Sequence, residues 1–437
     1  MPAAFGQDAP PKAPASDSAA SEAEPTLPKV EPPPTAPAQP PATEIGNEAL
    51  TLEAVEQLAL ANNPTLMQAQ ARVSGAQGGW VQAGLYPNPE AGYQGSEIGN
   101  NGAAGQQGFF ISQEVVTAGK LRLSRHTAVH EIGRLQAEWA AQQYRVQTSV
   151  RTAFYDLLVA QESVRLTERL LAISEGAVEA AEALLEARQG NRIDLLQARV
   201  EMNQSRVAVR KARNHREAAA KQLAALIGVP GMKVPAVRGE SNPDIEAVDF
   251  ETMLARIIAT SPEFVAAQHK IARTSAAVAR ARVEPIPNVD LQAGAQYDYS
   301  TDYTVANLQV SVPVPIRNRN QGNIQKAEAE WIAASRDLER LQLQIEQRLA
   351  GAFERYANAS YEVERYRESI LPDASSSLDL VEEIYEQGEI DYLRLLTAQR
   401  TNFQTQVDYL NAVREWWTAK LEIDGLLLVG GLDAPSE

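Results

Sequence analysis

Residues 51–227 and 250–427 carry one pattern twice, at an offset of about two hundred positions. Asn62-Asn63-Pro64 is matched by Thr260-Ser261-Pro262, and Pro87-Asn88-Pro89 by Pro287-Asn288. Further along, Arg188-Gln189-Gly190 is matched by Glu386-Gln387-Gly388, and Leu195-Leu196-Gln197-Ala198 by Leu395-Leu396-Thr397-Ala398. Solenoid units run to about 20–50 residues, so a repeat of this length is a duplicated half-structure. Each half reads as helix, two strands, very long helix, turn, helix. The duplication sets the expected organisation: a linker over 1–45, a first repeat over 50–228, a connector over 229–249, a second repeat over 250–428 and a tail over 429–437.

The helices are unusually long. Thr51 is the expected N-cap of the first, with Glu53 and Glu56 in its opening turn. It should reach Gly84, kinked or broken at Pro64, and stop at Leu85-Tyr86-Pro87-Asn88-Pro89. Between Gly119 and Ala187 there is no proline, and glycine occurs only at Gly133 and Gly176. Sixty-odd helical residues span about 100 Å. A turn at Gln189-Gly190-Asn191 leads into a helix from Asp194 to Ile227. The second half predicts helices over 250–283, over 322–387 with an interruption at Pro372, and over 391–428. Two helices of about 34 residues laid end to end match one of about 68, so each half can form an antiparallel pair of rods about 100 Å long.

The strands point to a membrane. Val289, Leu291, Ala293, Ala295, Tyr297 and Tyr299 alternate with Asp290, Gln292, Gly294, Gln296, Asp298 and Ser300. In the following strand Ala306, Leu308, Val310 and Val312 alternate with Val305, Asn307, Gln309 and Ser311. Alternation over roughly 9–11 residues, with tyrosines at the end, is the pattern of a transmembrane β-strand, although one half-buried strand of a soluble sheet reads the same. The first-half strands, expected near 90–98 and 107–117, alternate less cleanly, and Phe109-Phe110-Ile111 is apolar throughout. Four strands cannot close a barrel and open edges are not tolerated in lipid. If they span a membrane, several copies must pool their strands, and three copies would give twelve, enough for a wide, watery pore.

Composition narrows the alternatives. Net charge is −16 and there is no block of Lys or Arg, which argues against nucleic acid as a partner. Cysteine is absent, which removes disulfides, thiolate metal sites and thiol catalysis. No stretch reaches the roughly 18 apolar residues of a membrane-spanning helix. Residues 1–45 hold 12 of the 25 prolines and read as an extended or disordered tether. The start Ala3-Ala4-Phe5-Gly6-Gln7 reads either as the tail of a removed signal or as a start placed too late. No glycine-rich phosphate loop, nucleophile elbow or His–carboxylate cluster is present, so no enzyme and no cofactor is expected. The competing class is a soluble coiled-coil rod capped by a small sheet, against which the matching strand pairs in both halves argue.

This order of parts resembles the TolC-type outer-membrane efflux factors over about residues 50–428. Gln113-Glu114-Val115-Val116-Thr117-Ala118-Gly119-Lys120-Leu121-Arg122 is similar to a strand-to-helix passage of the CzcC/CusC-like heavy-metal branch. Val312-Pro313-Val314-Pro315-Ile316-Arg317-Asn318-Arg319-Asn320-Gln321-Gly322-Asn323-Ile324 is similar to its second passage. The resemblance implies a mainly α-helical homotrimer, with a twelve-stranded β-barrel in outer-membrane lipid and a long α-helical barrel in the periplasm. It further implies docking to a periplasmic adaptor protein and an inner-membrane, proton-driven RND-type pump. Drug-efflux and type I secretion ducts share this architecture, so cargo stays open.

In the passages, Pro313 and Pro315 withhold ladder donors and end a strand, while Gly119 and Gly322 are expected to permit the bend into the long helices. Lys120, Arg122, Arg317 and Arg319 are expected at the membrane–water boundary. By resemblance, the hairpin tips at 187–198 and 385–398 contact the adaptor and narrow the pore. Asp194 takes the place of a pore-lining acid there, its mate in the second repeat is Arg394, and Glu389 and Asp391 keep that tip acidic. His126 and His130 share a helix face but have no third partner in the nearby sequence, so no metal site is expected. Met67, Met202, Met232 and Met253 are scattered rather than paired.

Overall fold

The computed structural model describes residues 49–99, 105–188, 190–246 and 248–433, all within one compact unit, Ile45–Glu437. The proline-rich segment expected as a tether lies outside the described residues, as do residues 434–437 of the expected tail. The first half comprises α1 (Leu52–Asn62), α2 (Pro64–Gln82), β1 (Glu90–Ser96), β2 (Gln106–Val115), α3 (Lys120–Glu186) and α4 (Arg192–Ile227). The second comprises α5 (Phe250–Thr260), α6 (Pro262–Val283), β3 (Val289–Asp298), β4 (Tyr303–Ser311), α7 (Gln321–Arg365), α8 (Leu371–Glu386) and α9 (Tyr392–Asp424). The duplicated helix–strand–strand–helix–helix order is therefore present in both halves.

Prolines set the helix breaks by two different routes. Asn63 has φ −66° and ψ 122°, the extended form that a residue before proline favours. It ends α1 and caps α2, its side chain accepting from Thr65 N at 3.0 Å and donating to the Leu226 carbonyl at 2.9 Å. Ser261 repeats that backbone geometry before Pro262, so the helix expected without a break over 250–283 is two pieces, α5 and α6. Pro372 acts differently. One π-helical turn over Tyr366–Ile370 joins α7 to α8 with helical backbone throughout, and its extra residue accommodates the missing donor and the ring. The rod there continues through the proline instead of breaking.

The 67 residues of α3 span about 100 Å. It lies against α2 and α6 toward the sheet and against α4 toward the far turn, while α7 is flanked by α6 and α9. The stacked rod of the first half meets where Gly228, at φ +82°, turns α4 out against the joint of α1 and α2. A β-carbon at Gly228 would stand 2.7 Å from the Asn62 carbonyl oxygen. The last helix ends at Asp424, four residues short of expectation, because the chain turns at Gly425 and tucks Leu426, Leu427 and Leu428 into the core.

Two apolar cores lie at mid-length. One gathers Val55, Phe154, Leu157, Leu223 and Ile227 from α1, α3 and α4. The other gathers Ile257, Ile345, Leu349, Tyr356 and Trp416 from α5, α7 and α9. Connector 229–246 ties them together. Val237 pairs with Leu50 in a parallel bridge and exchanges hydrogen bonds with the Gln161 side chain. Trp417 stacks on Tyr155 at 3.6 Å and donates to the Ser241 carbonyl, while the Tyr356 hydroxyl donates to the Glu246 carbonyl.

The four strands form one antiparallel sheet in the order β1-β2-β3-β4, so the β2–β3 pair joins the two halves. The register puts Tyr93, Phe109, Ile111, Leu291, Ala293, Ala295, Tyr297, Leu308 and Val310 on one face. Gln94, Ser112, Glu114, Asp290, Gln292, Gln296, Asn307, Gln309 and Ser311 fall on the other. Phe110 explains the weak alternation of β2. It belongs to the polar face, between Gly92 and Gly294, and its ring fills the space a Gly92 side chain would need.

The indole of Trp416 is 2% exposed and donates to Ser360 Oγ at 3.0 Å. Trp416→Ala should lower unfolding free energy by about 3–5 kcal/mol, read as a fall in thermal midpoint, whereas the exposed Arg336→Ala should change it by less than about 0.5 kcal/mol.

Candidate functional site

The residues singled out in the sequence lie at the two ends of the helical rods. At the sheet end, Ala118 and Gly119 both adopt the left-handed conformation (φ 56° and 65°), and α3 starts at once. Lys120 is not at a water boundary as expected. It is 4% exposed, and its Nζ donates to Asn288 Oδ1 at 2.9 Å. Asn288 in turn donates to Glu114 Oε1 at 2.6 Å and accepts from the Thr117 amide, while the Thr117 hydroxyl donates to the Pro287 carbonyl. A buried polar group is costly without such partners, and this node locks the exit of β2 to the entry of β3.

In the second passage the left-handed residue is Asn320 (φ 60°), not Gly322, which lies inside the first turn of α7 with no positive φ. Asparagine tolerates this conformation, and its amide donates to the Ala281 carbonyl at 2.9 Å, anchoring the turn to α6. Pro313 and Pro315 follow β4 directly, and Val312, Val314 and Ile316 stand exposed beside them. Arg317 and Arg319 are exposed.

At the other end are the two hairpin turns. Gly190 N donates to the Leu184 carbonyl at 2.9 Å, and the Asn191 side chain caps α4 through Ile193 N. In the second turn Gly388 has φ +77°, and the Asp391 side chain caps α9 through Arg394 N at 3.2 Å. The hairpins are joined by a third apolar cluster, in which Val178, Leu195 and Ala198 pack with Tyr392 of α9. Beside it lies a cleft of about 280 Å³ lined by Leu184, Asp194, Tyr385, Tyr392, Leu395 and Gln399, among others. Desolvation, and then the Glu201 carboxylate, push the Tyr392 phenol above its ordinary value, so it stays a neutral donor.

Asp194 is thus half-buried in the inter-hairpin cleft, whereas Glu389, Asp391 and Arg394 are exposed around the second turn. Among the described residues Asp194 and Arg394 form no ion pair within the chain. The charge link between the hairpins lies further up. Arg400 of α9 grips Glu201 of α4 through Nε at 2.7 Å and through Nη2, and also reaches Gln204 at 3.3 Å. Sequence reasoning passed over this pair, which the repeat does not mark, since Glu201 is matched by Thr401 and Arg400 by Val200. It also passed over a ladder of Arg199–Glu182, Arg206–Glu175 and Arg213–Glu168 at 2.7, 3.1 and 2.6 Å, whose seven-residue spacing was legible.

Among the described residues no helix is long and apolar enough to cross a membrane. The model of the family "outer membrane efflux protein" matches residues 55–229 and 253–427, one match per repeat. The chain is 26% identical to the cobalt-zinc-cadmium resistance protein CzcC of Cupriavidus metallidurans, over 86% of this chain and 90% of that one. It is 24% identical to the cation efflux system protein CusC of Escherichia coli over 60% of either chain. Its fold superposes on a crystal structure of CusC with a TM-score of 0.72 at 20% identity, covering 87% of this chain and 92% of that one. The chain belongs to the outer membrane efflux protein family, and is an outer-membrane efflux component rather than an enzyme.

Proposed function

We propose that three copies of this chain form a passive exit duct for divalent heavy-metal cations. Their sheets would pool into a twelve-stranded barrel in the outer membrane, and their helices into a tube through the periplasm. The observation that carries this reading is the open four-stranded sheet. Its apolar face is exposed (Phe109 is 75% and Leu308 80% exposed), its other face is polar, and β1 and β4 are its two edges. Closing those edges against neighbouring copies satisfies every strand and turns the polar face inward, toward water. The hairpin tips, with Asp194, Glu389, Asp391 and Arg394, then narrow the far end and face a periplasmic adaptor coupled to an inner-membrane RND-type pump. The duct supplies no energy. Heavy-metal cargo is supported by the name of CzcC, a cobalt-zinc-cadmium resistance protein, and cation cargo by that of CusC, a cation efflux system protein.

Deleting the gene should reduce tolerance to cobalt, zinc, cadmium or copper, and a plasmid copy should restore it. A strain that keeps normal tolerance to all four metals but becomes sensitive to organic antibiotics would replace cation export with drug export.

The Arg400–Glu201 pair is proposed as an intrachain latch holding the tip narrow. Arg400 is half-exposed and Glu201 is not, so removing the cation leaves a carboxylate facing its own desolvation. Arg400→Ala should shift the closed–open balance by about 1–2 kcal/mol, roughly tenfold in planar-bilayer conductance. Exchanging the two charges (Glu201→Arg with Arg400→Glu) should recover most of the closed state.

A further inference from the structure

In the part of the molecule next to the hairpin turns, the helices stand in the order α4-α3-α9-α8. There α4 packs on α3, α3 on α9 and α9 on α8, so among the described residues α4 and α8 are the outer members. We propose that the outer face of α4 in one copy docks on the outer face of α8 in the next, a head-to-tail seam of an apolar stripe flanked by opposite charges. This seam rests on the three-copy reading above, and names the surfaces that meet in the periplasmic tube.

The face of α4 turned to α3 carries Leu195, Ala198, Ser205, Val209 and Ala212, all buried. The opposite face carries Ile193, Leu196, Val200 and Val207, each more than half exposed. Four large apolar side chains on one stripe of a helix make a packing surface, and among the described residues nothing covers them. On the other side, α8 has no buried residue. Its exposed large apolar side chain is Leu380, joined by Ile370 in the π-helical turn before it. The two hairpin turns stand level, since Tyr392 packs in the cluster of Leu195 and Ala198. Counting equal numbers of residues back from the turns sets Leu380 level with Leu196 and Val200, and Ile370 level with Val207. A rotation axis along the rods turns copies without sliding them, so the same levels meet between neighbours.

Charge sorts the same way. In a chain of net charge −16, α4 carries eight Lys and Arg against three Asp and Glu, whereas α8 carries five Asp and Glu and no Lys or Arg. The ladder to α3 uses Arg199, Arg206 and Arg213, and leaves Arg192, Arg210 and Lys211 exposed beside the apolar stripe. The acids of α8, among them Asp373, Asp379, Glu383 and Glu386, are all exposed, with no cation on their own helix. Two α4 faces, or two α8 faces, would oppose like charges. Only α4 against α8 brings opposite signs together, and that is the head-to-tail pairing that closes a ring. The sheet edges ask for the same partner. Nearer the sheet the helix order is α2-α3-α6-α7, with edge strand β1 following α2 and edge strand β4 leading into α7. Joining β1 to the β4 of a neighbour therefore carries α4 toward that neighbour's α8.

The chain has no cysteine, so an introduced pair reports the seam without background. The full-length Leu196→Cys/Leu380→Cys variant, purified in detergent, is treated with a mild oxidant and resolved on denaturing gels, with light scattering of the untreated sample alongside. The expected result is a ladder of covalent dimers and trimers from the double variant and none from either single variant, because a disulfide needs Cα atoms within about 7 Å. Adding Arg192→Glu should lower the crosslinked fraction severalfold at low salt, and adding Glu386→Arg as well should restore it. Three-chain particles that yield no crosslink, or a bond formed only within one chain, would overturn the seam and leave the three-copy reading standing. A lone 47.5 kDa chain in light scattering would overturn both. In intact cells, crosslinks from the double variant to a different protein, with none between copies, would give the stripe to that partner and also overturn the seam.

Discussion

The edges of a four-stranded sheet govern the rest of this molecule. A strand edge presents a row of amide and carbonyl groups, and in lipid each one left unpaired costs several kcal/mol because no water replaces the missing partner. This chain offers a sheet that is apolar on one face, polar on the other and bounded by β1 and β4. In the proposed duct it is a piece of wall, with its two faces sorted for lipid and water before any neighbour arrives. Duplication makes the piece wide enough to use: one repeat supplies a hairpin, and the β2–β3 ladder doubles it.

The helices then have to leave the sheet in register and stay together over about 100 Å. Both jobs are done by specific contacts. The Lys120–Asn288–Glu114 node fixes the exit of β2 against the entry of β3, and the Asn320 amide ties the second passage to α6. Along α3 and α4 the apolar seam is thin, and exposed Arg–Glu pairs recur every seven residues. Each such pair contributes only about 0.2–1 kcal/mol, so it sets register more than stability. Stability resides in the two mid-length cores, where Phe154, Leu349 and Trp416 are almost fully buried. The tips, remote from those cores and joined to one another by a small apolar cluster and the Arg400–Glu201 pair, are the part best suited to move.

The duplicated architecture was legible in the sequence because period-two alternation, proline stops and a long proline-free run are all local signals. The second-half sheet face could be read residue by residue, since Leu291, Ala293 and Ala295 alternate cleanly with polar neighbours. What escaped depended on contacts between distant segments. Lys120 reads as a boundary cation until Asn288 is brought beside it, and Phe110 breaks the alternation until Gly92 appears beneath it. Gly322 was the conventional choice for a bend, but Asn320 makes it because its amide finds a carbonyl on α6. His269 is an unremarked residue in its own helix, and only folding sets it against Gly133. The Arg–Glu ladder is the one feature whose spacing was in plain view.

The account turns on whether a lone subunit is a finished molecule. Light scattering on detergent-extracted protein, with the detergent contribution subtracted, measures this directly against the 47.5 kDa chain mass. A particle of three protein chains that inserts into lipid vesicles and makes them leaky to small ions is the predicted result. A stable 47.5 kDa monomer that leaves vesicles sealed would contradict it.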